Sequence, residues 1–78
     1  LPEPLVGAVA LGGGMHRLAR QIGLKQAMGL ILTGDIVGAD EAYRMGFVTA
    51  LVEPAELDAG IDDWCARILR CAPLSTRA

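Results

Sequence analysis

Apolar residues first recur with helical spacing at Met15, Leu18, Ala19 and Ile22. That pattern predicts a helix opening at Gly13 or Gly14 and stopped by Gly23. From Leu24 to Leu32 the apolar residues lie nearly all round the helix (Leu24, Ala27, Met28, Leu30, Ile31, Leu32). Such a segment predicts a second helix buried on every side, ended by Gly34 in the C′ position. Ile36-Val37 reads as a short strand. Ala39–Met45 reads as a brief helix whose first turn carries Asp40 and Glu41, where the helix dipole favours acids. Phe47–Val52 is rich in β-branched residues and reads as a second strand, a candidate partner for Ile36-Val37. Pro54 suits the first position of a last helix, with Leu57, Ile61, Trp64, Cys65, Ile68 and Leu69 on one face. Its acids fall early, Arg67 and Arg70 fall late, and Pro73 stops it. Leu74–Ala78 reads as the start of a further element. Pro2 and Pro4 are expected to hold the chain extended around Glu3. Met28 and Trp64, at helical core spacing, read as core.

Composition sharpens this picture. The 78 residues are 53% apolar and 21% charged. A chain of this size buries roughly 60% of its unfolded surface, so part of its apolar surface is expected to meet another chain or a ligand. The net charge of −2 argues against a nucleic-acid partner, which calls for a basic face. Arg17, Arg20 and Lys25 read as a solvated helix face. No signal peptide is visible, and the uncharged run Ala27–Thr33 is too short to span a membrane. The first residue is Leu, not Met, and the expectation is a processed chain or a piece of a longer one. Cys65 and Cys71 on one helix would stand about 9 Å apart along the axis and about 240° apart around it. They read as reduced thiols of a cytoplasmic protein. One His and no paired-cysteine motif give no metal site.

Two features carry candidate chemistry. Gly12-Gly13-Gly14 opens a helix, and free N–H groups there can bind an anion. Neither a Walker lysine nor the dinucleotide spacing follows, so tight packing of the helix entry is the plainer reading. Glu3 lies between prolines beside Gly and apolar residues. A desolvated carboxylate there would suit general acid–base chemistry; an exposed acid near a terminus is the plain alternative. His16 reads as a surface or packing residue.

The order "PEPLVG", "GGMHRLARQIG", "KQAMGLILTGDIVGADEAYRMGFVTALVEPAEL" and "CAPLSTRA" resembles the C-terminal part of the crotonase, or enoyl-CoA hydratase/isomerase, superfamily. The resemblance covers essentially the whole chain. It implies a mainly α chain with a short two-stranded β pairing, the helical end of a crotonase-like α/β spiral, with residues 1–78 forming one partial domain. Members bind acyl-CoA thioesters, stabilise an enolate with two backbone N–H groups, and in the hydratases move water and a proton with two glutamates. Pro2-Glu3, with Gly7 downstream, matches the second glutamate's segment, which makes Glu3 the expected general acid–base. Gly7, Gly12 and Gly13 are the expected substrate-binding positions. The resemblance implies no cofactor beyond the CoA thioester, which is the substrate, and a homo-oligomer.

The glycine triplet also looks like the family's earlier oxyanion segment. The following "HRLARQIG" matches the later helix instead, and no acid occurs between Glu3 and Asp35. Two departures stand out: Pro4 replaces an aliphatic residue, and Ala10 replaces a loop proline. The oxyanion donors and the first glutamate would lie upstream of these segments. The chain is therefore expected to be inert in isolation, as a fragment of such an enzyme. The alternative is a stand-alone, self-associating helical module without catalysis.

Overall fold

Gly23 joins two helices with no loop between them. In the computed structural model, which describes residues 1–78, α1 (Gly14–Ile22) ends and α2 (Leu24–Thr33) begins on either side of this one residue. Its N–H donates to Ala19 O at 3.0 Å, and its carbonyl accepts from Ala27 N–H at 3.2 Å. Its backbone, at φ 87° and ψ 157°, lies in a region essentially reserved for glycine. The two helices pack as a hairpin. Ala27 is fully buried (0% exposed) and Ile22 nearly so (9% exposed). Ala27 buries only a methyl on the covered face of α2, and a small side chain lets helix backbones approach closely.

A 3₁₀ turn over Glu3–Val6 precedes the hairpin and packs on α2. After α2 come α3 (Ala39–Met45), a second 3₁₀ turn (Pro54–Glu56), α4 (Leu57–Leu69) and α5 (Pro73–Arg77). The helix ends match the expected breaks at Gly23, Gly34 and Gly46, whereas Pro54 opens the 3₁₀ turn ahead of α4, and Pro73, expected to stop that helix, opens α5. Asp40 and Glu41 do occupy the first turn of α3, and Arg44 near its end pairs with Glu41. No helix is long and apolar enough to cross a membrane.

Four expectations are corrected. The start is a 3₁₀ turn and not extended: proline's fixed φ fits a helical first turn as well as an extended one. The expected two-stranded pairing is absent. Residues 35–38 and 50–53 have no regular structure, and no backbone hydrogen bond joins the 36–37 and 47–52 segments. β-branched composition favours a ladder only where a partner edge is in register. The second helix is not buried on every side. It has one covered face, while Leu24 and Leu32 are 63% and 68% exposed. Met28 and Trp64 are likewise not core, at 42% and 37% exposed.

The last two corrections share one cause: the chain does not close a core of its own. Only five of 78 residues are buried: Ala10, Ile22, Ala27, Ala42 and Gly34. The accessible surface is 6305 Å², against about 4,500 Å² for a compact protein of this mass. The radius of gyration is 15.8 Å, against about 11.5 Å for a compact chain of this length. Among the other elements, α4 packs chiefly on the 3₁₀ turn that leads into it.

If Ala27 sets the α1–α2 spacing, Ala27→Leu should overpack the hairpin and destabilise the protein by about 1–3 kcal/mol, read from urea denaturation. A change below about 0.5 kcal/mol, the range of ordinary surface substitutions, would mean that the hairpin does not close around this residue.

Candidate active site

The turn that carries Glu3 is closed at both ends by local chemistry. Pro2 is the cap residue before it, and Pro4 sits where a missing N–H costs nothing. At the other end the N–H of Ala8 donates to Glu3 O at 2.9 Å and the N–H of Gly7 to Pro4 O at 3.3 Å. Those two bonds form a Schellman closure, which needs a left-handed residue at its centre. Gly7 supplies it, at φ 74°.

Glu3 itself is half-buried. Its Oε2 is shielded from solvent and accepts no hydrogen bond from the chain. A shielded carboxylate oxygen without a donor is costly, and such groups call for an explanation.

Beside this turn lies a cleft of about 610 Å³, within the range of small-molecule sites. It begins at Leu1 and Pro2, immediately before Glu3. Leu18 of α1, Leu30 of α2 and Phe47 give it apolar walls. Arg17, Gln21 and Asp35 add polar groups. Arg17 folds back over the entry to α1: a Cβ built on Gly13 would lie 3.1 Å from its Nη1.

The candidate glycines fall in different places. Gly7 closes the Glu3 turn, and Gly12 is exposed; a Cβ at either would meet nothing within 4 Å. Gly13 caps α1 in the left-handed region, at φ 101°. None of these three lines the cleft, whereas Gly14 does. Arg17 belongs to the helix face expected to be solvated, and Asp35 carries no role in the sequence pattern. Both now border the cleft, although each is exposed. The signal that would have found Asp35 is "TGD", because Gly34 turns the chain back across the Glu3 turn. His16, Arg20 and Lys25 are exposed, as expected of a helix surface. Cys65 and Cys71 are free thiols, both exposed.

Leu1 and Pro2 bring the turn to the rim of the cleft, but Glu3 itself does not line it. The family model for enoyl-CoA hydratase/isomerase matches residues 1–78. The chain is 38% identical over 76 residues to crotonyl-CoA hydratase of Syntrophomonas wolfei, covering 97% of this chain and 29% of that one. It is 37% identical over 76 residues to short-chain-enoyl-CoA hydratase of Clostridioides difficile, covering 97% of this chain and 49% of that one. It is 37% identical over 78 residues to (E)-benzylidenesuccinyl-CoA hydratase of Thauera aromatica, covering 100% of this chain and 30% of that one. The chain belongs to the enoyl-CoA hydratase/isomerase family. It spans less than half the length of each of these relatives.

The Schellman closure predicts a graded response at Gly7. Gly7→Val, a β-branched residue forced to positive φ, should destabilise by about 1–2 kcal/mol. Gly7→Asn, which tolerates that conformation, should lose less. Chemical denaturation of both variants checks the order, and equal losses would contradict the left-handed role.

Proposed function

We propose that this chain is the acid–base-bearing helical end of an enzyme that hydrates 2-enoyl-CoA thioesters. The observation that carries the proposal is the shielded, unpartnered Oε2 of Glu3, on the turn next to the cleft. The hydratase names of its relatives support the substrate class. In this reaction water adds across the C2–C3 double bond. The hydroxyl bonds to C3, C2 takes a proton, and negative charge passes through the thioester oxygen as an enolate. Glu3 serves as one of the carboxylates that move the proton. Backbone N–H groups elsewhere in the whole protein hold the enolate oxygen.

Residues 1–78 form one partial domain of a crotonase-like α/β spiral. Gly7, Gly12 and Gly13 are the thioester-binding positions, on the loop that follows the Glu3 turn and outside the cleft itself. No cofactor beyond the CoA thioester, itself the substrate, is required. The free, exposed thiols of Cys65 and Cys71 suit the reducing cytoplasm. The net charge of −2 offers nothing to a nucleic acid. The large exposed apolar surface supports a homo-oligomer, with α4 contributing Leu57, Ile61 and Ile68, all exposed by half or slightly more.

In the whole protein, Glu3→Gln should lower the hydration rate of crotonyl-CoA by about 10²-fold or more, a typical general acid–base contribution. A rate within about twofold of the parent would remove Glu3 from the chemistry. The same exposed surface favours a second reading, a non-catalytic module that associates with itself. That module should form a defined oligomer whose melting temperature rises with protein concentration. A monomer with a sharp, concentration-independent melt would exclude it.

A further inference from the structure

Gly34 is buried although it lies in a turn between α2 and an exposed segment. What covers it is the turn that carries Glu3. A Cβ built on Gly34 would lie 3.0 Å from Leu5 Cγ, 3.3 Å from Leu5 Cδ1 and 3.6 Å from the carbonyl oxygen of Leu1. Leu1 and Leu5 flank Glu3 on either side. The backbone of Gly34 is thus the floor on which the acid's turn rests. Leu5 is 68% exposed, but it meets Gly34 through Cγ, one bond beyond its Cβ, so giving way takes a change of rotamer and not a swing of its tip.

Gly34 is itself fixed from below. Its N–H donates to Leu30 O at 3.0 Å, and it caps α2 at φ 68°. Asp35 N–H donates to Thr33 Oγ1 at 3.1 Å, and that hydroxyl donates to Gly29 O at 2.7 Å. The floor therefore moves with α2 and not with the segment after it.

We infer that Gly34 is a positioning residue: its missing side chain sets the height of the Glu3 turn over α2, and so the reach of the carboxylate. This rests on the acid–base role of Glu3. A side chain at position 34 displaces Leu5 by a few tenths of an ångström or more, and the closed turn loses the contact that seats it on α2. Catalysis is sensitive on this scale, since a 1 Å misplacement can cost about 10²-fold.

The test needs a control for backbone strain, because alanine at positive φ is strained wherever it occurs. Gly46 provides one: it has φ 101°, caps α3, and a Cβ there would meet nothing within 4 Å. In the whole protein with crotonyl-CoA, Gly34→Ala should lower kcat about tenfold with little change in KM. Gly46→Ala, strained but free of any clash, should lower Tm and leave kcat unchanged. Adding Leu5→Ala to Gly34→Ala removes the two contacting carbons and should restore most of the lost kcat. In a Glu3→Gln background, Gly34→Ala should have no further effect, because the two residues act as a unit. The inference is overturned if Gly34→Ala matches Gly46→Ala, if Leu5→Ala fails to rescue, or if the two losses simply multiply. A Glu3→Gln enzyme of parental activity would overturn the acid–base reading instead, and is read separately.

Discussion

Leu1 and Leu5 rest on two glycines, Gly34 at the end of α2 and Gly14 at the start of α1. A Cβ at Gly14 would come within 2.8 Å of Leu1 Cδ2. This contact between side chains and bare backbone ties the first turn to the α1–α2 hairpin. The placement of Glu3 depends on it. The turn is too short to hold a position alone, and its own hydrogen bonds fix only its internal shape. The hairpin in turn depends on Gly23 and Ala27, which let two short helices meet without a loop. A chain of small residues therefore runs from the helix contact to the carboxylate.

The remainder of the molecule follows a different rule. Residues after α2 bury little, and α4 keeps an apolar groove of about 420 Å³ along Leu57, Ile61, Trp64 and Ile68. Within α4 the visible side-chain interactions are local ones. Arg67 lies 4.3 Å from the centre of the Trp64 ring and 3.7 Å from Asp63. Exposed pairs of this kind contribute at most about 1 kcal/mol each. They support the helix without fixing its place. The accessible surface exceeds that of a compact protein of this mass by about 1,800 Å², roughly twice what one partner contributes to a standard protein–protein interface. An apolar composition without a closed core has the same origin.

Helix ends were readable in the sequence because each is written in local chemistry: Gly23, Gly34 and Gly46 as stops, and Pro54 as a start. The prominence of Glu3 came from its Pro-Glu setting and the order of segments around it. What could not be read was long-range. Ile36-Val37 and Phe47–Val52 have strand-forming residues, but pairing depends on an edge that periodicity does not specify. Leu24, Met28, Leu32 and Trp64 have core spacing, but spacing does not say whether anything arrives to cover them. The 3₁₀ form of the first turn is not written in its prolines, because proline permits both that turn and an extended chain. Nor is the role of Gly34 written locally, since it joins residues about thirty positions apart and looks locally like any helix stop.

A crystal structure of the whole protein with a bound, non-reactive acyl-CoA analogue would locate the carboxylate against the reacting carbons directly. A Glu3 oxygen within hydrogen-bond reach of C2 or of the water facing C3, about 2.6–3.2 Å or one water away, is the expected result, with Leu5 still seated on Gly34. A thioester bound elsewhere, with Glu3 turned into the protein and paired to a fixed cation, would contradict it and make the unpartnered oxygen a structural contact completed by the rest of the fold.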